Sequence, residues 1–461
     1  MKSSEKEKCF MKLNQKSKGN GWAFLPLLVF VFSYLIVGIV LEAQGVDQAF
    51  YQFPTPVAAM LGIIVAFFLF KGSIPEKVDT FVKGCGDDNI IIMCLIYLLA
   101  GAFSTVAKAM GGVDATVNLG LSVLPPSVIT AGLFIIAAFL GTSTGSAMGT
   151  VGALAPVAVG FADKAGIHLP LMLAAVVGGG MFGDNLSIVS DTTIAATRTQ
   201  GVEMKDKFRL NLLIALPPAI ITVVLLLLFG SSPDAVALEG LTFNFVKVIP
   251  YLLVLVLALV GVNVLLVLTS GIVAAGLIGI AYGDLTPLSF SQSIFEGFGG
   301  MLEIFLLSMF IGGLTKMVSK AGGMDFLLRI FRKFVRGPKS AQLSIGALTL
   351  ATDAATANNT VAILIDGPIA KQISQEYKVD PRKIASILDI FSCVMQGLIP
   401  YGAQILLAGS LSEGAVSPFS IVPFMWYPML LLGFTVLSVF VPYADRALRK
   451  RPWNWEKGKA E

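Results

Sequence analysis

Apolar runs of about twenty residues recur along this sequence, and the first lies between Trp22 and Leu41. A helix needs roughly 20 apolar residues to cross a hydrocarbon core about 30 Å thick. Only 13% of the residues are charged and mean hydropathy is +0.81, which is too little charge to coat a soluble multidomain enzyme. The sequence therefore predicts an all-α membrane protein with ten crossings. The other nine runs lie at 54–70, 90–109, 169–197, 210–230, 245–260, 263–282, 300–318, 384–411 and 423–443.

Two further stretches, 128–162 and 341–370, have a different pattern. Each consists of two short apolar arms around a core of small and hydroxylated residues, at 141–150 and 351–360. Arms of roughly 12 to 14 helical residues reach only about 18 to 21 Å. We therefore predict two re-entrant hairpins that enter the membrane and return to the same side.

The basic residues predict how the chain is oriented in the membrane. Lys and Arg favour cytoplasmic segments. With the two hairpins in place, 30 of the 33 basic residues fall in segments on one side, which include the tails 1–21 and 444–461. Lys108, Lys164 and Lys247 are the exceptions. We therefore expect cytoplasmic basic tails at both termini.

The sequence also repeats itself weakly. Residues 101–114 return as 312–325, and the hairpin cores align with Thr142 paired with Thr352 and Thr150 with Thr360. Each half then has five transmembrane helices and one hairpin, and an odd number of crossings inverts the second half. We predict two inverted-topology repeats, 22–230 and 245–443, joined by an external linker at 231–244, with interrupted helices at the midplane as in secondary transporters.

Polar residues lie inside two of the spanning segments. Residues 182–193 contain two Asp, one Asn and four hydroxyl side chains directly after Gly178–Gly180, so an unwound stretch is expected there. Pro400 is expected to break the matching helix of the second half. The hairpin tips and the broken helices are expected to converge on one site. The candidate ion- or substrate-binding residues are Asp184, Asn185, Ser187, Ser190, Asp191, Thr192, Thr142, Ser143, Thr144, Asp353, Asn358, Asn359, Thr360, Asp389, Ser392 and Gln396.

Four of these candidates are aspartates expected at mid-membrane. No Lys, Arg or His lies in the broken segments or hairpin tips, so the neutralising charge is expected to come from solution. Oxygen ligands suit hard monovalent cations, and a buried carboxylate also binds a proton readily. We therefore predict Na⁺ and H⁺ as alternative ligands and expect no cofactor and no nucleic-acid partner. The candidate Na⁺ ligands are Asp184, Asp191, Asp353 and Asp389, whereas Asp163, Glu303 and Asp366 are expected to be interfacial.

Residues 166–171 and 182–193, with 388–401 as the second-half counterpart, resemble the NhaC-type Na⁺/H⁺ antiporter family. The resemblance spans both repeats. It implies a multi-pass carrier of the bacterial inner membrane that exchanges Na⁺ for H⁺, with Asp184, Ser187, Ser190, Asp191 and Thr192 in the motif positions. The sequence departs from the family at Ile188, where Pro is common, and at Asn185, where Lys is frequent and would supply an internal counter-charge.

Two other functions are compared with Na⁺/H⁺ exchange on the same residues. A Na⁺- or H⁺-coupled carrier of a small organic acid or amino acid would use the same cavity, with Asn358, Asn359 and helix N-termini holding a substrate carboxylate. An intramembrane aspartyl hydrolase needs neither an inverted repeat nor two hydroxyl-rich hairpins, so we expect no enzyme. The sequence leaves the oligomeric state open, a homodimer included.

Overall fold

In a computed structural model, the residues described are 19–44, 46, 52–123, 125–187, 190–230, 242–260, 262–445, 448–449, 451–455 and 459–460. The N-terminal tail and the linker proposed at 231–244 lie almost wholly outside them, as does Ile188. Nearly all of the described chain is helical. A two-residue antiparallel ribbon pairs β1 (Trp453–Asn454) with β2 (Lys459–Ala460), with Trp453 opposite Ala460, so the all-α prediction holds except in the C-terminal tail.

The described residues of the first half form ten α-helices. A short 3₁₀ turn, Gly21–Phe24, precedes them. They are α1 (Leu25–Ala43), α2 (Thr55–Leu69), α3 (Ile74–Cys85), α4 (Asp88–Ala109), α5 (Gly112–Val123), α6 (Pro126–Thr144), α7 (Ala147–Ala165), α8 (Leu169–Leu186), α9 (Asp191–Gln200) and α10 (Met204–Phe229).

The second half repeats this order of elements. Its helices are α11 (Phe245–Leu259), α12 (Val264–Tyr282), α13 (Pro287–Gly300), α14 (Leu302–Lys320), α15 (Gly323–Arg332), α16 (Pro338–Thr356), α17 (Asn359–Tyr377), α18 (Pro381–Gln396), α19 (Ala403–Leu411), α20 (Pro418–Ile421) and α21 (Trp426–Phe440). Helices α6 to α9 begin at 126, 147, 169 and 191, and α16 to α19 begin at 338, 359, 381 and 403. This offset of 212 aligns Thr144 with Thr356, so the sequence pairing of Thr142 with Thr352 is wrong by two residues.

Seven helical segments in the described chain are long and apolar enough to cross a membrane, and a bent pair formed by 418–424 and α21 would be an eighth. Two shorter apolar helices, α2 and 245–257, fall in regions where a crossing was predicted. One of the seven is residues 127–144 of α6, which the sequence assigned to a hairpin arm. No helix within the predicted crossing at 384–411 is long and apolar enough to be among these seven.

Both predicted hairpins are helical, but their arms are longer than expected. Helices α6, α7, α16 and α17 each have 19 residues, about 28 Å at 1.5 Å per residue. The turns are alike, because Gly145 (φ 64°) and Ala357 (φ 50°) are both left-handed and the next residue, Ser146 or Asn358, caps the following helix through its side chain. The small residues of each core therefore form a tight turn with one helical turn on each side of it. The helix of each arm thus extends into the core, which makes the arm longer.

The glycines of α8 pack against α6 and do not unwind the helix. A Cβ placed at Gly179 would meet Phe134 O, and one placed at Gly183 would meet Thr142 N and Ala138 O. Gly141 of α6 makes the reciprocal approach to Gly180 O. The helix continues through these glycines to Leu186, so the break in the segment lies after them.

Replacing Gly183 with Ala is expected to destabilise the protein by about 1–3 kcal/mol, because the added methyl group overlaps the backbone of α6. The measurement is thermal unfolding of the purified protein in detergent. Gly132→Ala is the matched control, since nothing lies within 4 Å of a Cβ at that position. An equal effect of both substitutions would show that helix propensity, and not close packing, sets the stability here.

The three basic residues that did not fit the charge pattern all have acidic partners. Lys108 contacts Glu413 at 2.8 Å, Lys164 contacts Asp114 at 2.6 Å and Lys247 contacts Asp284 at 2.6 Å. Glu303, one of the acids expected to be interfacial, is exposed and accepts hydrogen bonds from Thr55. The exceptional lysines are thus neutralised locally.

Candidate functional site

The break between α8 and α9 holds the first polar cluster. Ser187 and Ser190 are extended (ψ 138° and 139°), and they flank the break. Asp184, in the last turn of α8, is only 8% exposed. Its Oδ1 accepts a hydrogen bond of 2.7 Å from Ser190 Oγ, which lies 2.9 Å from Thr192 Oγ1. The predicted interruption thus begins three residues after Asp184, at Ser187, and brings the hydroxyl group of Ser190 to that carboxylate, with the hydroxyl group of Thr192 next to it.

Lys207 corrects the expectation that the buried acids have no internal positive charge. The sequence places it in a cytoplasmic loop, but it lies in the first turn of α10 and is completely buried. Its Nζ is 2.7 Å from Asp389 Oδ2, and both side chains are 1% exposed. The ammonium group also donates to Asn185 O and Thr193 Oγ1, each at 2.7 Å. Lys207 therefore joins α8, α9, α10 and α18.

The Lys207 contact also explains how the chain compensates for Asn185. The resemblance implies that a lysine at this position would supply an internal charge. Here the charge comes from α10, and Asn185 contributes its backbone carbonyl to that lysine. Its side-chain Oδ1 accepts from Asn211 Nδ2 at 2.6 Å.

Asn211, one helical turn after Lys207, extends the network across the two halves of the chain. Its Nδ2 lies 2.8 Å from Asp389 Oδ2, and its Oδ1 accepts from Ser386 Oγ at 2.5 Å. Two buried atoms of the network, Asp389 Oδ1 and Asn185 Nδ2, have no hydrogen-bond partner in the described part of the chain. Ser392, a predicted ligand, is buried, but its hydroxyl donates to Asp389 O within its own helix.

Asp191 lies close enough to Asp184 to interact electrostatically, but no hydrogen bond or ion pair among the described residues joins its side chain to this cluster. It was expected to be buried with Asp184, but its side chain is exposed. It is the first residue of α9, a position where an acid interacts favourably with the helix dipole. Its place in the motif is therefore accounted for by the start of a helix.

The tip of the first hairpin is half-buried, and its hydroxyl groups bond locally. Thr142 Oγ1 donates to Ala138 O at 2.7 Å and Thr144 Oγ1 donates to Leu140 O at 2.9 Å, both within α6. Ser143 lies beside them and is also half-buried. These three predicted ligands therefore lie at the end of α6. The hydrogen bonds of Thr142 and Thr144 are made within the hairpin and not to the Asp184 cluster.

The second hairpin holds a separate polar cluster. Asp353 of α16 and Asp366 of α17 are both 0% exposed, so the expectation that Asp366 is interfacial is wrong. Thr352 Oγ1 donates to Asp366 Oδ1 at 3.0 Å. When the Gln396 amide is turned so that its nitrogen faces the carboxylate, Nε2 lies 3.2 Å from Asp353 Oδ1.

At the tip of that hairpin, the predicted ligands mainly shape the turn. Asn358 Oδ1 accepts from Val361 N and Asn359 Oδ1 accepts from Thr360 N, each at 3.0 Å. Asn358 is buried, while Asn359 and Thr360 are half-buried.

The predicted site residues therefore form two clusters and do not converge on one point. Asp184 and Asp389 lie close enough to interact electrostatically, and so do Asp353 and Asp366. Asp389 and Gln396 are seven residues apart on α18, about 10 Å along the axis. Within the described residues, no three His, Cys, Asp or Glu side chains gather in a way that could hold a metal ion.

Sequence reasoning missed four side chains of these clusters, Lys207, Asn211, Asp366 and Ser386. The spacing of Lys207 and Asn211 by four residues, and of Ser386 and Asp389 by three, puts each pair on one face of a helix. A search for polar residues at helical spacing would have found both pairs. Asp366 has no such signal, because only the turn of the hairpin brings it to Asp353.

Comparison of the sequence with known protein families identifies one family. The family model described as the Na⁺/H⁺ antiporter family matches residues 17–231 and 232–442. The chain belongs to the Na⁺/H⁺ antiporter family. The two buried polar clusters therefore lie in a membrane protein of a transporter family. The family model matches each half of the chain once.

Several antiporters that are named for different substrates are similar to this chain. The Na⁺/H⁺ antiporter NhaC of Bacillus subtilis is 26% identical, covering 89% of this chain and 97% of its own. The malate-2H⁺/Na⁺-lactate antiporter of the same organism is 24% identical, covering 87% and 92%. The arginine/ornithine antiporter ArcD of Halobacterium salinarum is 24% identical, covering 93% and 94%.

Proposed function

We propose that this antiporter-family protein exchanges Na⁺ for H⁺, with Asp184 binding the two ions alternately. The observation that carries the proposal is a buried carboxylate at a helix break whose only hydrogen bond in the described chain comes from a hydroxyl group, Ser190. A carboxylate in such a position requires a proton or a cation. The hydroxyl oxygens of Ser190 and Thr192 are suitable ligands for a hard cation.

Lys207 and Asp389 have a different role in this proposal. The Lys207 ammonium group makes three short contacts, and its ion pair with Asp389 joins helices from both halves. It leaves Asp184 as the carboxylate of this cluster without an ion-pair partner among the described residues. Mutually exclusive binding of Na⁺ and H⁺ at Asp184 is then enough for exchange, provided the site opens to one side at a time.

Alternating access is proposed to come from two inverted repeats with re-entrant hairpins, in a bacterial inner membrane with both termini cytoplasmic. Contacts between residues 211 or 212 positions apart support the repeat. Cys94 Sγ is 3.8 Å from Phe305 O, Ser308 Oγ is 3.3 Å from Tyr97 OH, and Cys393 Sγ is 3.7 Å from Met181 O. Equivalent residues meet in this way at a two-fold axis, where transporters of this architecture bind their ions.

The second candidate is a Na⁺- or H⁺-coupled carrier of a small organic acid or amino acid. The names of two similar antiporters, one for malate and lactate and one for arginine and ornithine, favour it. The buried Lys207 is evidence against this candidate, because a lysine already paired with Asp389 has no free charge to hold a substrate carboxylate.

The test is a proteoliposome assay with a pH-sensitive dye inside the vesicles. Adding Na⁺ outside is expected to make the lumen more alkaline, because H⁺ leaves as Na⁺ enters. Lowering the external pH should raise the Na⁺ concentration needed for half-maximal rate, because both ions bind one carboxylate. A signal that appears only when malate, lactate or an amino acid is added would replace the leading proposal with the second candidate. K⁺ is the control cation.

A further inference from the structure

The cluster in the second hairpin has features that a structural contact does not explain. Asp353 and Asp366 are both 0% exposed, and each has one oxygen, Oδ2, without a hydrogen-bond partner in the described chain. They lie on the two arms of one hairpin and close enough to repel each other. Two buried carboxyl groups with unsatisfied oxygens would oppose folding of the hairpin unless a ligand bridged them.

The chemistry around the two acids identifies the class of ligand. The polar side chains next to them carry hydroxyl groups or a carboxamide. Thr352 Oγ1 is 3.0 Å from Asp366 Oδ1, Thr349 also lies next to Asp366, and the Gln396 amide and Tyr401 lie next to Asp353. None of the recorded ion pairs of the described residues includes either acid. Oxygen donors without imidazole or thiolate suit a hard cation, and two acids together also hold a proton.

The position of Gln396 separates this cluster from the first one. Helices α8 and α18 begin 212 residues apart, so Gln396 of α18 occupies the place of Asp184 of α8, each in the last turns before a break. The first break carries its own carboxylate. The second carries an uncharged amide and faces the carboxylates of the hairpin. Each half of the chain therefore has one broken helix next to a buried carboxyl group that has no ion-pair partner among the described residues.

We propose that Asp353 and Asp366 form a second site for a hard monovalent cation, and that the pair holds a proton when the cation is absent. The inference deepens the proposed function and takes from it only the identity of the cation, Na⁺. The site is distinct from Asp184, so that one protein exchanges ions at two places.

The experiment measures proton release when Na⁺ is added to the purified full-length chain in weakly buffered detergent solution, at a series of pH values. The double variant Asp353→Asn/Asp366→Asn is expected to release about half as many protons as the unsubstituted chain, since cation binding displaces protons from its ligands. Asp184→Asn should also release about half, and the triple variant almost none. Glu376→Gln is the matched control, because it removes an exposed carboxylate from the same helix as Asp366.

The outcomes separate the two proposals. Full proton release from the double variant would overturn the second site and leave exchange at Asp184 intact. Full release from Asp184→Asn, with loss in the double variant, would overturn the proposed role of Asp184 and support the second site. Should the double variant elute as aggregate in size-exclusion chromatography, the single variant Asp366→Asn takes its place with the same expectations.

Discussion

Lys207→Met is expected to lower the free energy of unfolding by about 3–5 kcal/mol, because it leaves the carboxylate of Asp389 buried and unpaired. Lys207 and Asp389 are each 1% exposed, so solvent cannot replace the lost charge. The substitution also leaves Asn185 O and Thr193 Oγ1 without their shared donor. The effect is measured by thermal or denaturant unfolding of the purified protein in detergent.

The double variant Lys207→Met/Asp389→Asn is expected to recover most of that stability. With both charges removed, no buried ion remains uncompensated, and Asn at 389 still accepts from Asn211 Nδ2. Lys205→Met is the control on the same helical turn, because Lys205 is exposed and its pair with Glu203 is a surface contact worth little. A double variant as unstable as Lys207→Met alone would show that packing of the lysine stem, and not its charge, stabilises this junction.

The membrane class and the helix break between Asp184 and Ser190 could be predicted from the sequence. Asp184 and Ser190 were found because hydroxyl and acidic residues inside an apolar run contradict a regular helix, and the helix breaks between them. Pro400 likewise marks the interruption between α18 and α19. These features are local, so the sequence pattern contains them.

The partnerships within each cluster could not be predicted in the same way. Lys207 follows a run of polar residues and has Arg209 near it, so its local pattern is that of a cytoplasmic loop. Only the packing of α10 against α18 buries it beside Asp389. Hairpin arms of 12 to 14 residues would put Asp366 near the end of an arm. With 19-residue arms it lies in the interior of the hairpin, opposite Asp353.

Asp184→Asn is expected to reduce Na⁺-driven proton movement in proteoliposomes by about 100-fold or more, since losing a charged ligand costs roughly 3 kcal/mol. Asn has the same shape and still accepts the hydrogen bond from Ser190, so the break between α8 and α9 should remain. It carries no negative charge for Na⁺ and no exchangeable carboxyl proton. Unfolding of the variant is therefore expected to be unchanged or more difficult, because a buried amide costs less than a buried carboxylate.

Asp191→Asn is the matched control for Asp184→Asn, because it makes the same substitution seven residues later on an exposed side chain. Its transport rate is expected to stay within a few-fold of the unsubstituted protein, about the effect of losing an acid from the first turn of a helix. The two variants together distinguish burial from motif membership. If Asp191→Asn abolished transport and Asp184→Asn did not, the ion would bind at the exposed start of α9, and the buried carboxylate at the end of α8 would have only a structural role.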